Sequence, residues 1–205
     1  MEDEARMTPE ESLSLIRQQE AATIHRLVPN PLFTYTPWGV SWLVGYGLFF
    51  LSYGLDGTPI LPIPWGWALA VLLALQLLAF GVMFYGMTRS SLRVKGRSAR
   101  KSAMFGMAWG ISYPTAMAAA SRFGPLLPPA EIGLFYTCLT LVLVAVLYMA
   151  GSAVWGDQRM FFLGAWTAVV VSAGAIAGPG IAWLLFSLLL GGAFITIGVL
   201  GRHRP

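Results

Sequence analysis

Between Thr34 and Thr88 the chain carries one charged residue, Asp56, and between Ser102 and Gly156 it carries two, Arg122 and Glu131. Apolar runs longer than about 18 residues with no charge are the mark of helices that cross a bilayer. Inside lipid no water satisfies the backbone, so such runs must close their hydrogen bonds within a helix. The composition points the same way. Of 205 residues, 57% are hydrophobic and 11% charged, about half the charge of an ordinary soluble domain. The expected fold class is therefore all-α, a polytopic membrane protein.

Six spans are expected, at 37–54, 65–87, 103–121, 131–155, 160–177 and 181–201, within a transmembrane domain covering 36–201. Pro64 precedes the second span, where a first helical turn tolerates proline. The sequence GPG at 178–180 separates the fifth from the sixth, and the third is the most polar. Residues 1–35 are expected to be a cytoplasmic segment and 202–205 a cytoplasmic tail. The opening stretch MEDEARMTPEE is acidic and no apolar run follows it, so it does not read as a signal peptide. The first span is expected to act as the insertion signal. Of thirteen Lys and Arg, twelve fall in the N-terminal segment, the 89–101 loop, Arg159 and the tail, leaving Arg122 on the other side. The positive-inside rule then places both termini in the cytoplasm of a cell bounded by a plasma (inner) membrane. An even number of spans requires the termini to share a side, so count and charge agree.

A short repeat stands out. WGVSW at 38–42 recurs as WGISY at 109–113, and GAW at 164–166 is a vestige of it. All three lie on spans expected to run from inside to outside, which suggests three in–out hairpins. Small residues recur at fourfold spacing elsewhere: Ser41 and Gly45; Gly66, Ala70 and Ala74; Gly106 and Gly110; Gly164, Ala168 and Ser172. Helices in lipid associate through such faces. The repeat is therefore read first as a packing unit and second as a ligand contact.

No ionisable residue is expected at mid-depth, since Asp56, Arg122 and Glu131 fall at span ends and His25 and His203 in the tails. A proton relay, a metal centre or an activated nucleophile would each need such groups. No catalytic residue, metal ligand or cofactor is expected, and no phosphate-binding glycine loop is present. The lone Cys138 lies in an apolar run and reads as a small buried thiol. One polar stretch remains, WGISYPTAMAAAS in the third span. Pro114 removes a donor, so the Gly110 carbonyl loses its helical partner. Ser112, Tyr113, Pro114 and Thr115 are the candidate substrate or pore contacts, because broken helices with hydroxyls at mid-depth build transporter sites. A purely structural kink is the competing reading. Tyr46, Tyr53, Gln76, Tyr136, Thr137 and Thr140 are the residues that could complete such a cavity.

On the cytoplasmic side, residues 8–27 have the pattern of an amphipathic helix. Thr8 is the N-cap, Pro9 the first position and Glu11 closes a capping box. Leu13, Ile16, Ile24 and Leu27 form its apolar stripe, the candidate face for a partner helix. Residues 1–27 carry three Arg against six acids, so anionic lipid repels this segment and a protein surface suits it better. The 89–101 loop is the reverse. Its Arg89, Arg93, Lys95, Arg97, Arg100 and Lys101 suit lipid headgroups or that acidic segment. The loop has no aromatic residue to stack bases, so nucleic acid is not an expected partner.

The acidic capped helix, the PNP at 29–31 and PWGVSWLVGYG at 37–47 together resemble small uncharacterised multi-spanning integral membrane proteins of actinobacteria. The resemblance covers mainly the first two spans. It implies a plasma-membrane location and an association with transport systems, and it carries no catalytic residues. The functional expectation is a non-enzymatic membrane subunit or scaffold of a larger complex. Its partners would be the bilayer and either another membrane or cytoplasmic protein or a second copy. The alternative is a small transporter or channel with its site at Pro114. Docking of the acidic helix on the basic loop predicts that cysteines placed in the two segments crosslink at low salt and lose the crosslink as salt rises. Absence of the crosslink at low salt contradicts the docking.

Overall fold

The structure is a computed structural model. It describes residues 13–15, 30–91 and 97–201, with side chains except at 87–91 and 97–98. Among these residues there is no strand. Six long helices follow one another: α1 (Pro31–Tyr53), α2 (Trp65–Ser91), α3 (Arg97–Ser121), α4 (Pro129–Trp155), α5 (Gln158–Ala177) and α6 (Pro179–Leu200). A 3₁₀ turn at Gly124–Leu126 joins α3 to α4. Each expected span falls on one of these helices. Four of them, α2, α4, α5 and α6, are long and apolar enough to cross a membrane. Although α1 is uncharged and 23 residues long, it is rich in Trp, Tyr, Gly and Ser. The other exception, α3, opens on Arg97, Arg100 and Lys101 and carries the polar stretch around Pro114.

Local chemistry sets the helix ends. At the start of α1, six residues before the expected boundary, the Asn30 side chain accepts from the Leu32 N–H at 3.0 Å and Pro31 occupies the first turn. Similarly, Asp157 caps α5 by accepting from the Arg159 N–H at 2.9 Å. Gly156 ends α4 in the left-handed region, φ 69°. In the α1–α2 loop the Thr58 hydroxyl donates to the Asp56 carboxylate at 2.7 Å. That bond, first among its causes, holds the Asp56 carboxyl below its ordinary range. Helical structure also reaches further into the basic segment than expected, to Ser91 from one side and from Arg97 on the other. Arg and Lys are good helix formers, so nothing in the sequence ends these helices at the hydrocarbon edge.

Four helices form the core, packed in the order α1, α6, α5, α4, with α4 closing back towards α1 through the Tyr35–Tyr148 ring contact at 6.3 Å. On the outside, α2 packs chiefly on α1 and α3 chiefly on α4. A close backbone contact joins α1 to α6, which run antiparallel. A Cβ at Gly39 would lie 2.7 Å from the Ile195 nitrogen and 2.8 Å from the Gly191 oxygen. One at Gly191 would lie 2.8 Å from the Leu43 nitrogen, and one at Gly198 would strike Thr36. Backbones this close leave no room for a methyl group.

Within α6 the hydrogen bonding shifts to a π register over Phe186–Gly191. There the Ser187 hydroxyl donates to the Leu43 carbonyl of α1 at 2.7 Å, and the Trp166 indole N–H of α5 donates to the Leu189 carbonyl at 3.1 Å. Interhelical bonds of this kind contribute roughly 0.6 kcal/mol on average in a membrane protein.

The two copies of the repeat sit in different surroundings. The first is buried, with Ser41 at 1% and Trp42 at 3% exposure. The second lies on peripheral α3, where Gly110 has nothing within 4 Å of a Cβ. Their rings still meet in one aromatic cluster. Trp42 touches Phe194 at 4.6 Å, Phe194 touches Tyr148 at 5.5 Å, Tyr148 touches Trp109 at 5.9 Å, and Trp109 stacks on Tyr113 at 6.0 Å. The repeat therefore supplies the two ends of an aromatic chain across the bundle.

This asymmetry gives a paired test. Gly39→Val should destabilise the chain by about 1–3 kcal/mol through overpacking. Gly110→Val should change stability by no more than about 0.5 kcal/mol. Reversible unfolding in mixed detergent micelles measures both, and equal effects would refute the α1/α6 contact.

Candidate functional site

Because α2 packs on α1 and α3 on α4, a gap remains between them. It forms a cleft of about 600 Å³ with α1 and α4 as its floor. Tyr46, Tyr53, Gln76, Tyr136, Thr137 and Thr140, the six polar residues singled out in sequence, all line it. Apolar walls come from Phe49, Leu69, Leu72 and Leu73, from Met117 of α3 and from the ring of Trp65. None of the sixteen lining residues is charged.

The depth of the cleft follows from helix geometry. Trp65 and Pro129 open α2 and α4 at the same end of the bundle. Gln76 and Thr140 each lie eleven residues further along, about 16 Å at 1.5 Å per residue. That is the middle of a hydrocarbon layer about 30 Å thick. No lining residue lies beyond Gln76 on α2 or beyond Thr140 on α4, so the cleft occupies about one half of the length of these helices.

At its outer end Trp65 reaches from α2 to α4. Its ring lies 4.3 Å from Phe49 and 5.7 Å from Trp183, and a Cβ at Gly133 would come within 2.5 Å of it. Gly133 is thus the residue that lets the indole lie against α4. Tyr46, almost fully buried, stacks on Trp183 at 6.1 Å behind the cleft wall.

The polar groups differ in how well they are satisfied. Thr140 donates to the Thr137 carbonyl at 2.8 Å, and its own carbonyl accepts a long bond from the Tyr113 hydroxyl at 3.4 Å. Among the described residues neither the Gln76 carboxamide nor the Thr137 hydroxyl has a hydrogen-bond partner. A carboxamide offers two donors and an acceptor. Leaving one unpaired in an apolar medium costs of order 1–3 kcal/mol.

Of the stretch at Pro114, only Tyr113 turns towards the core. Pro114 and Thr115 are exposed on the outer face of α3 and Ser112 is half-buried. None of the four lines the cleft. The helix also runs through Pro114 without a break, because losing one backbone bond does not end a helix whose neighbouring turns remain intact. The residue that α3 does contribute to the cleft is Met117, one turn later, and nothing in its sequence context distinguishes it from a lipid-facing methionine.

The proposed partner-helix face lies outside the described residues at Ile16, Ile24 and Leu27, while Leu13 is helical and exposed. In the basic segment Arg93 and Lys95 also fall outside them. Arg89 and Arg97 lie on the ends of α2 and α3, and Arg100 and Lys101 are exposed on the first turn of α3. Lys101 borders a smaller hollow of about 350 Å³ shared with Phe105 and Val154. Among the described residues no three His, Cys, Asp or Glu side chains gather to hold a metal.

No family model, no curated protein and no solved structure matches the chain. The cleft therefore rests on its own chemistry. If Gln76 serves a ligand and not the fold, Gln76→Leu should leave stability unchanged or raise it by up to about 2 kcal/mol. Loss of more than about 1 kcal/mol in detergent unfolding would mean that the amide has a structural partner.

Proposed function

We propose that the chain is a non-enzymatic protein of the plasma membrane with six spans, both termini in the cytoplasm, and a binding site for a membrane-dissolved molecule in the cleft. This is the small-transporter reading, with its site moved from Pro114 to Gln76. One observation carries it. An unpaired carboxamide lies at mid-span on the wall of a concave, laterally open cleft, and polar groups there are costly unless something pairs with them. Two further points support the topology. The six helices are 20–27 residues long, enough to cross a hydrocarbon core with some tilt. Basic residues also cluster at one end. The cleft stops at mid-depth, which favours a carrier or receptor over an open channel. The absence of charge in it argues against an ion as substrate.

The subunit or scaffold reading stands second, on a different observation. Along α2, Gly66 and Gly81 meet nothing within 4 Å, and Ala70 and Ala74 beside them are exposed. A small-residue face of this kind suits a neighbouring helix. Native mass spectrometry of the gently extracted protein separates the two readings. A bound molecule of a few hundred daltons, present in the wild type and lost in Gln76→Leu, is the expected result. A stoichiometric protein partner with no small adduct favours the subunit, and a bare wild-type chain contradicts the binding reading.

A further inference from the structure

We infer that the cleft takes an uncharged apolar molecule bearing one carbonyl or hydroxyl oxygen, held with that oxygen at the membrane mid-plane and its apolar frame towards the Trp65 end. This rests on the cleft being a binding site and specifies what it binds. Three features lead to it.

The first is the lack of charge. With none of the lining residues ionised, a phosphate, carboxylate or ammonium group would be buried without a counter-ion, and such burial is prohibitive in this setting.

The second is the placement of polarity. In an ordinary bilayer lipid the head stays at the interface and the tails point inward. The cleft differs in carrying polar groups at its deep end as well. Gln76 and Thr137, both without a partner among the described residues, lie at the deep end, while Trp65, Phe49 and Leu69 line the outer half together with the Tyr53 and Tyr136 hydroxyls. An acyl tail reaching the deep end would leave the Gln76 amide unpaired. A molecule that carries its oxygen inward pairs with it.

The third is the match of donors and acceptors. A carboxamide and a hydroxyl lining one cleft can donate to a carbonyl, or donate to and accept from an alcohol. These suit a long-chain or cyclic ketone or a long isoprenoid alcohol, and the volume of about 600 Å³ is that of an ordinary small-molecule site. The rings of Trp65 and Phe49, with centroids 4.3 Å apart, favour a flat or unsaturated frame.

The test uses the full chain in phosphatidylcholine nanodiscs, offered four chain-matched probes: a long-chain methyl ketone, the alcohol, the fatty acid and the alkyltrimethylammonium. Retention is read by native mass spectrometry. The ketone, the alcohol or both should be retained one to one. Retention should fall by about tenfold or more in Gln76→Leu, the loss of roughly one buried hydrogen bond. Thr137→Val should weaken retention in the same direction, which keeps the result independent of how one variant folds. Preference for the ketone assigns a carbonyl ligand, and preference for the alcohol assigns a hydroxyl ligand. Gln76-dependent retention of the fatty acid or the ammonium probe overturns the ligand class and leaves the cleft as a site. Absence of Gln76-dependent retention for every probe overturns the cleft itself.

Discussion

In a bilayer two helices gain nothing from excluding water, so α1 and α6 are held together by direct contact between their backbones. Gly39, Gly191 and Gly198 remove the side chains that would keep them apart. The π turn at Phe186–Gly191 then places Ser187 where its hydroxyl meets the Leu43 carbonyl, and it presents the Leu189 carbonyl to Trp166 of α5. Three helices are thereby tied together at one level. Large rings fill the space on either side: Phe194 and Trp42 towards one end, Trp183, Phe186 and Tyr46 towards the other. With the centre fixed, α2 attaches to α1 and α3 to α4, and they do not close over the space between them. The cleft is thus a consequence of how the core packs. Its walls are helices whose main contacts lie elsewhere.

Helix existence was legible because charge-free runs in this composition have few other solutions. The ends were less so. Pro31 and Asn30 form a good helix start in water, and the apolar run begins only later, so hydropathy alone misses the first six residues of α1. The repeat shows a deeper limit. Gly39 and Gly110 stand in nearly identical pentapeptides, yet one touches backbone on α6 and the other touches nothing within 4 Å. Local sequence does not encode which neighbour arrives. The same limit explains Pro114. A proline in a polar stretch looks like a break, but the helix tolerates it, and Pro114 and Thr115 face outward. Gln76, Thr137 and Thr140 were legible as polar residues in apolar spans. That they share one cleft depends on the packing of α1, α2 and α4. Met117 and Gly133 carry no signal of their role.

The proposed function follows from a mismatch between the fold and its solvent. Lipid covers apolar surface without penalty, so the exposed leucines and phenylalanines of α2 and α5 need no explanation. An unpaired carboxamide at mid-depth does. On the proposed reading a ligand meets it, and the uncharged, ring-lined walls around it narrow the candidates to molecules that dissolve in the bilayer and carry one oxygen to pair.

The most direct measurement replaces Leu73, on the cleft wall, with a diazirine-bearing leucine analogue and crosslinks the chain in native membranes. A single uncharged adduct of a few hundred daltons, lost when Gln76→Leu is added, is the result this account predicts. Adducts only to the mixed phospholipids of the membrane, or crosslinks from α2 onto α3 that show the cleft closed, would contradict it.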